Sequence, residues 1–260
     1  GQVAKNFIKK INTQNIKINL TVTSRESTRR KFFDGIEYDS FQFSQDSFDT
    51  NLIKNLESSN YILVSIAPVN SEDIVIKKFQ NIFEEKKIKW LTYLSATSVY
   101  GDHKGEWVDE KSKTNPTSST GLQRLEAEKL WIKLAKNQNL PIQIFRLSGI
   151  YSHESNILKR LKSGDAKIIK KENQFFSRIH VEDIAEVLFK SLEKFKAKEI
   201  YNISDDRPAS SEELILYGSK ILNIEPPAII ELESIENEMV KNFYKDSKKV
   251  NNKKMKDIFN

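Results

Sequence analysis

No cysteine occurs among the 260 residues, which excludes disulfide scaffolds, thiolate zinc sites and cysteine nucleophiles at once. Histidine is nearly as scarce. His103, His153 and His180 are the only three, and nothing in their spacing places two together, so no metal site is expected. No apolar run approaches the roughly 18–20 residues of a membrane span; the longest, Tyr61 to Val69, reaches about half of that. No secretory leader pattern is visible. Asn202-Ile203-Ser204 matches a glycosylation sequon, which without a secretory route is a chance match. These absences lead to the expectation of a soluble, cytoplasmic protein with no membrane association.

Charge is abundant: 42 Lys+Arg against 36 Asp+Glu leave a formal net charge of +6. A basic excess suits nucleic acid when it is concentrated on one face. Here acids are interleaved with the lysines, as in Glu84-Glu85-Lys86-Lys87 and from Glu126 to Lys133. That pattern describes a solvated surface, and no nucleic-acid partner is expected. With 38% hydrophobic residues the chain can bury a sizeable core, which rules out wholesale disorder. Its length suits one large domain, or one domain with a small appendage.

Strand and helix patterns alternate. Ile16, Ile18, Leu20 and Val22 have strand periodicity, and Tyr61 to Ala67 is a near-continuous apolar run of the kind buried on both faces of a parallel sheet. Ser71 to Phe83 reads as a helix capped by Ser71, and Ile88 to Ser95 as the next strand. Gly121 to Asn137 is the clearest helix, with Leu122, Leu125, Leu130 and Leu134 on one side. Ile142–Leu147 and Glu199–Ile203 read as strands, with a helix marked by Ile184, Val187, Leu188 and Leu192 between them. Ser210-Ser211-Glu212-Glu213 resembles a capping box that opens a helix to Leu222. Such alternation predicts βαβ units and a doubly wound, Rossmann-type parallel α/β sheet, with residues 1–150 as its main domain and residues 151–260 as a smaller substrate lobe intertwined with it. The chain opens at Gly1 in a helical pattern, so the first strand is expected to precede Gly1.

In open α/β sheets ligands bind at the carboxyl ends of the strands. At the second strand's expected end stand Ser24 and Arg25, where an Asp or Glu would accept from a ribose 2′-hydroxyl. They read either as a 2′-phosphate site, favouring NADP(H) over NAD(H), or as a solvated turn with an ordinary surface arginine. Tyr93 to Asp102 carries three hydroxyls (Ser95, Thr97, Ser98) at a strand end and then Tyr100-Gly101. The next helix begins Pro116-Thr117-Ser118-Ser119-Thr120-Gly121-Leu122-Gln123-Arg124.

Together these segments resemble the extended short-chain dehydrogenase/reductase superfamily, in its branch of NAD-dependent epimerases and dehydratases. That branch reads Ser-Ser-x-x-Val-Tyr-Gly, then Pro-x-x-x-Tyr-Gly-x-x-Lys. Phe145 to Tyr151 is similar to the family segment beside the nicotinamide, and Phe176 to Ala185 to its Arg-x-x-His-Val-x-Asp stretch. Val99-Tyr100-Gly101-Asp102, Trp107 to Glu110 and Ser65 to Pro68 resemble, more narrowly, an atypical bacterial subgroup labelled YeeZ. The resemblance implies cofactor contacts at Gly1, Ser24, Arg25, Ala67, Pro68, Ser95, Arg124, Gly149 and Ile150. It implies substrate contacts at Tyr151, Arg178 and His180, a small-molecule substrate of sugar-nucleotide kind, and a homodimer. For the homodimer, Ile76, Phe79, Phe83, Leu130, Trp131 and Leu134 are the apolar residues beyond one face's needs.

The chain departs from the working enzymes where the chemistry lies. The family's Tyr position is Thr120 and its Lys position Arg124, while Ala96 stands at the Ser/Thr position between Ser95 and Thr97. A phenol can be tuned downward by a neighbouring cation. A threonine hydroxyl cannot, and arginine stays protonated. Catalytic candidates are then Thr97, Tyr100, Thr120 and Arg124, with Tyr100 the first choice for proton transfer. The alternative is a non-catalytic dinucleotide sensor on the same fold.

Overall fold

The computed structural model describes residues 1–84 and 88–260, so part of the Glu84–Lys87 charge run lies outside the described residues. Helix α1 (Gln2–Thr13) turns Phe7, Ile8 and Ile11 inward. Strands β1 (Thr21–Ser24), β2 (Arg29–Phe33) and β3 (Ile36–Gln42) form a small sheet in which β1 runs parallel and β2 antiparallel to β3. The β2–β3 hairpin turns on Asp34-Gly35, both at positive φ (49° and 82°), the conformation that a two-residue turn matched to strand twist requires.

Then follow α2 (Asn51–Ser58), β4 (Tyr61–Val64), α3 (Ile74–Glu84), β5 (Trp90–Ala96), a 3-10 turn over Thr97–Tyr100, the short β6 (Trp107–Val108), α4 (Ser119–Gln138) and β7 (Ile142–Leu147). Beyond them lie β8 (Gly149–Tyr151), α5 (Ile157–Lys162), β9 (Ile168–Lys170), β10 (Arg178–His180), α6 (Val181–Glu193), β11 (Ile200–Ile203), α7 (Ser211–Leu222), β12 (Ile229–Glu231), α8 (Glu238–Lys245), β13 (Lys249–Val250) and α9 (Lys253–Phe259).

The central sheet is four-stranded and parallel throughout, in the order β11-β7-β5-β4. All six residues of β7 are buried, as expected of a strand with helices on both faces. One face packs against α3 and α4 through Phe79, Phe83 and Trp131. The other packs against α1, α6 and α9 through Phe145, Leu188 and Phe259. The segment from Gly149 onward both interleaves with this sheet and adds two two-stranded parallel ladders of its own, β8–β10 and β9–β12, while its β13 pairs in parallel with the earlier β6.

Two helices differ from the sequence reading. The helix expected from Ser71 begins at Ile74, because the Asp73 carboxylate accepts from the Val75 and Ile76 amides, each at 3.0 Å. In α4 the buried residues are Gly121, Ala127, Glu128, Trp131, Leu134 and Ala135, while Leu122 and Leu130 are exposed. Small and amphipathic residues, not the leucines alone, define that face. Of the six apolar residues assigned to a homodimer face, Ile76, Phe79, Phe83, Trp131 and Leu134 lie in this chain's own core. Only Leu130 stays exposed.

Candidate functional site

The site is built where β5, β7 and the start of α4 meet. Ser118 caps α4, its hydroxyl accepting from the Gly121 amide at 3.1 Å. Gly121 is required there: a Cβ would come within 2.7 Å of the Ser98 carbonyl oxygen in the turn after β5. That contact presses the first turns of α4 onto the end of β5. Arg124, one helical turn after Thr120, reaches back with Nη1 to the Leu94 carbonyl (2.8 Å) and the Tyr93 hydroxyl (3.3 Å). Thr120 itself is exposed, with Oγ1 3.3 Å from Ser118 Oγ. Thr97 opens the 3-10 turn, half-buried.

Ser95 on β5 and Ser148 after β7 are buried, and their hydroxyls have no hydrogen-bond partner among the described residues. Both stand at the carboxyl ends of adjacent strands, where open α/β sheets bind their ligands.

Tyr100 corrects the sequence reading. It was the first choice for proton transfer, yet it is completely buried, and its hydroxyl donates to Asn202 Oδ1 at 2.7 Å. Burial pushes its pKa up to about 12, with Arg146 and Asn202 only partly opposing the shift. A phenol so enclosed holds the fold and cannot reach a substrate. Beneath it lies an ion pair that the sequence reading missed. The Arg146 guanidinium stacks 4.9 Å from the Tyr100 ring and donates to Glu128 from Nη2 (2.7 Å) and Nε (3.1 Å). Burial works against the Arg146 charge, but the Glu128 carboxylate and Tyr100 more than offset it, so its pKa lies above the ordinary arginine value. The signal was present: a charged residue inside a strand of otherwise buried character needs an opposite charge beside it.

The residues assigned to substrate form a separate cluster on the β8–β10 ladder. His180 pairs in register with Tyr151, and their rings meet edge to face at 5.0 Å. His180 also caps α6, Nδ1 accepting from the Glu182 amide at 3.4 Å. The Tyr151 phenol is pushed up to about 12 by burial and by Asp205, to which it is hydrogen-bonded. Asp205 in turn is raised by its own burial and by Asp183. Arg178 is tied to the Phe176 and Ala209 carbonyls at 3.0 and 3.2 Å. Gly149 and Ile150, assigned to the cofactor, are the first residues of β8 and join this cluster to the end of β7.

The remaining cofactor candidates lie elsewhere. Gly1 is the N-cap of α1, and Ala67 and Pro68 follow β4. Ser24 ends β1 and accepts from the Ser40 hydroxyl at 3.2 Å. Arg25 is exposed just beyond it, with no ion pair among the described residues. Neighbouring Glu26 is held by Arg29 (2.5 Å) and Lys31 (2.9 Å), which keep its carboxyl below the usual carboxylate range.

The sequence profile of the NAD dependent epimerase/dehydratase family matches residues 50–204, more than half of the chain. The chain belongs to this family. The match spans α2 to β11 and so covers the α4 start, the β5–β7 pair and the β8–β10 cluster. A functionally unknown conserved protein from Silicibacter pomeroyi is 30% identical, with a TM-score of 0.85 over 99% of this chain and 88% of that one. Two further structures share the family's fold. UDP-glucuronic acid 4-epimerase from Bacillus cereus, in complex with NAD, is 19% identical with a TM-score of 0.69, covering 85% of this chain and 74% of that one. dTDP-glucose 4,6-dehydratase from Bacillus anthracis, also in complex with NAD, is 14% identical with a TM-score of 0.75, covering 99% and 86%. No curated protein matches the chain. Among the described residues no helix is long and apolar enough to cross a membrane, and no group of three acidic or histidine side chains could hold a metal ion.

Proposed function

We propose that this family member is a cytoplasmic NAD(P)-binding, epimerase-like protein that holds a sugar-nucleotide-like molecule without the usual Tyr-Lys proton-transfer pair. The observation that carries the reading is Arg124. Its guanidinium is anchored to the end of β5 by the Leu94 carbonyl, one turn of α4 after Thr120, so a fixed positive charge stands where the family places a lysine. The family's name implies a nicotinamide dinucleotide, and the residues at these strand ends fit one. The unpaired Ser95 and Ser148 hydroxyls and the remaining Arg124 donors suit its nicotinamide and ribose oxygens. Ser24 and Arg25 suit the adenosine ribose. When bound, such a group supplies reversible acceptance of hydride.

Arg25 favours NADP(H), because a 2′-phosphate would meet an exposed guanidinium while the nearest acid, Glu26, is already neutralised by two cations. Titrating the full chain with NADPH and NADH should show tighter NADPH, and Arg25→Ala should erase the difference. In the same titration Arg124→Ala should weaken NADPH severalfold, while Thr120→Val leaves it nearly unchanged. Equal affinity for both cofactors would remove the NADP(H) assignment. Loss of turnover in Thr120→Val at unaltered affinity would make Thr120 catalytic and this reading wrong.

The buried Tyr100 favours a second reading, a non-catalytic dinucleotide sensor. Thr120 is a poor acid, Arg124 cannot give up its proton, and positioned acid–base help is typically worth 10²–10⁴-fold. Absence of turnover over a panel of sugar nucleotides, with cofactor affinity intact, selects it. A homodimer through α3 and α4 is supported by the exposed Leu122 and Leu130, which share one side of α4. Light scattering at tens of micromolar should give about twice the 30.2 kDa chain mass; a monomeric mass removes the dimer.

A further inference from the structure

β11 is the end strand of the central sheet, and side chains close the edge it leaves open. Glu110 Oε1 accepts from the Asn202 amide at 2.8 Å, while Lys254 Nζ donates to the Ile200 carbonyl at 2.7 Å and to Glu199 at 2.6 Å. Between these closures, the start of α9 and the loop that carries Glu110 lies a cavity of about 400 Å³. That volume is at the small end of the range that takes small molecules. The cavity stands beside the first residues of β11, whereas Ser95 and Ser148 mark the carboxyl ends of their strands.

Tyr201 is the buried part of the cavity wall. Its ring is fully enclosed, edge to face with Phe145 (centroids 5.8 Å apart) and tilted against Phe259 (4.9 Å), with the Lys254 ammonium 4.8 Å over its face. Its hydroxyl bonds nothing among the described residues. Phenylalanine would fill this core equally well, so the hydroxyl is the one feature of Tyr201 that packing leaves unexplained. Burial, joined by the Glu199 and Glu110 carboxylates, pushes the phenol up to about 12, so it keeps its proton and donates. The charges around it divide by whether they are already engaged. Each acid of the wall has a partner: Asp109 the Ser112 hydroxyl (2.9 Å) and the Lys111 amide (3.0 Å), Glu110 the Asn202 amide, Glu199 Lys254, and Asp257 Lys253 (2.9 Å). Lys196 and Lys111 are in no ion pair among the described residues, and Lys111 acts on Asp109 only at longer range. The groups left to meet a ligand are one neutral donor and two cations, a set that suits an oxyanion.

We propose that this cavity at the outer edge of β11 is a second small-molecule site, in which the Tyr201 hydroxyl and the Lys196 and Lys111 ammoniums hold the carboxylate or phosphate oxygens of a small anion. It stands independently of the dinucleotide and sugar-nucleotide readings above, since none of its residues belongs to the strand ends on which they rest.

Tyr201→Phe is the decisive variant, because it deletes only the hydroxyl, keeps the ring contacts and should unfold at or above the wild-type temperature. The probes are succinate and inorganic phosphate, added at constant ionic strength to the full chain carrying ¹³Cζ-labelled tyrosine. The Tyr201 resonance, assigned by its absence in Tyr201→Phe, should move saturably at up to tens of millimolar probe. Calorimetry should show Tyr201→Phe binding the same probe about tenfold more weakly, as loss of a hydrogen bond to a charged group implies. A response to succinate alone assigns a carboxylate ligand, one to phosphate alone a phosphate, and one to both a site that takes either oxyanion. The surface double variant Lys111→Met/Lys196→Met leaves the core intact and should weaken the same probe by a similar factor. The proposal is overturned if neither probe moves the Tyr201 resonance, or if either variant binds within about twofold of wild type. It is also overturned if ethylammonium moves the resonance and the anions do not.

Discussion

Glu128→Leu should lower the stability of the chain by about 3–5 kcal/mol, the cost of leaving a buried charge without its partner. For a chain of this size that corresponds to a fall in Tm of roughly 6–20 °C. The geometry makes the effect large. The Glu128 and Arg146 side chains are 2% and 5% exposed, and two guanidinium nitrogens bond the carboxylate. Arg146 Nη1 already lacks a partner among the described residues, so no reserve acceptor is waiting. The guanidinium also supports the Tyr100 ring, which holds the turn after β5 through Asn202. The double variant Glu128→Leu/Arg146→Met should recover much of the loss, because it removes both charges and leaves none uncompensated. Denaturant unfolding of both singles and the double measures this. If the double loses the sum of the singles, the two charges do not act as a pair.

That ion pair also shows where sequence reasoning stopped. Strand runs such as Ile142–Leu147 were legible because a parallel strand buried on both faces must be apolar over its whole length. Two residues within that run break the rule, Gln143 and Arg146, and the charged one needs a partner that the run itself does not name. Glu128 lies 18 residues away on a helix whose leucines invited a different choice of inward face. Helix starts were legible at Ser210 and misplaced at Ser71, since Asp73 two residues on is the better acceptor and also takes the Trp131 indole N–H at 2.8 Å. The β2–β3 hairpin went unread although Asp34-Gly35 is the strongest short hairpin signal there is, because charged Arg29, Arg30 and Lys31 hide the alternation. At the site, the Val-Tyr-Gly and Pro-x-x-x-Thr-Gly motifs located the elements correctly. They could not say which way the Tyr100 ring points. That is decided by Asn202, about a hundred residues further on.

Gly101→Ala should be the most disruptive single glycine substitution, and Gly164→Ala is the control that shows why. Both glycines have positive φ, 71° and 77°, so both alanines carry the strain of a conformation that L-residues avoid, about 1–2 kcal/mol. At Gly164 nothing lies within 4 Å of the added methyl. At Gly101 it would lie 1.8 Å from the Asn115 carbonyl oxygen and 3.2 Å from Pro116 Cα, and ψ there is −150°, a region essentially confined to glycine. Relief by moving Asn115 is blocked, because its amide donates to the Tyr100 carbonyl at 3.1 Å. Relief by moving Pro116 displaces Ser118, the cap of α4, and with it Thr120 and Arg124. The expected loss is therefore about 2–6 kcal/mol, the strain of the conformation plus that of overpacking, against about 1–2 for Gly164→Ala. The displacement also predicts a functional trace: Gly101→Ala that remains folded at low temperature should bind NADPH more weakly, as Arg124→Ala does, whereas Gly164→Ala should bind as wild type. Thermal unfolding and cofactor titration of the two variants side by side decide it. Equal losses at both sites would show that the Asn115 loop yields freely and does not fix the start of α4.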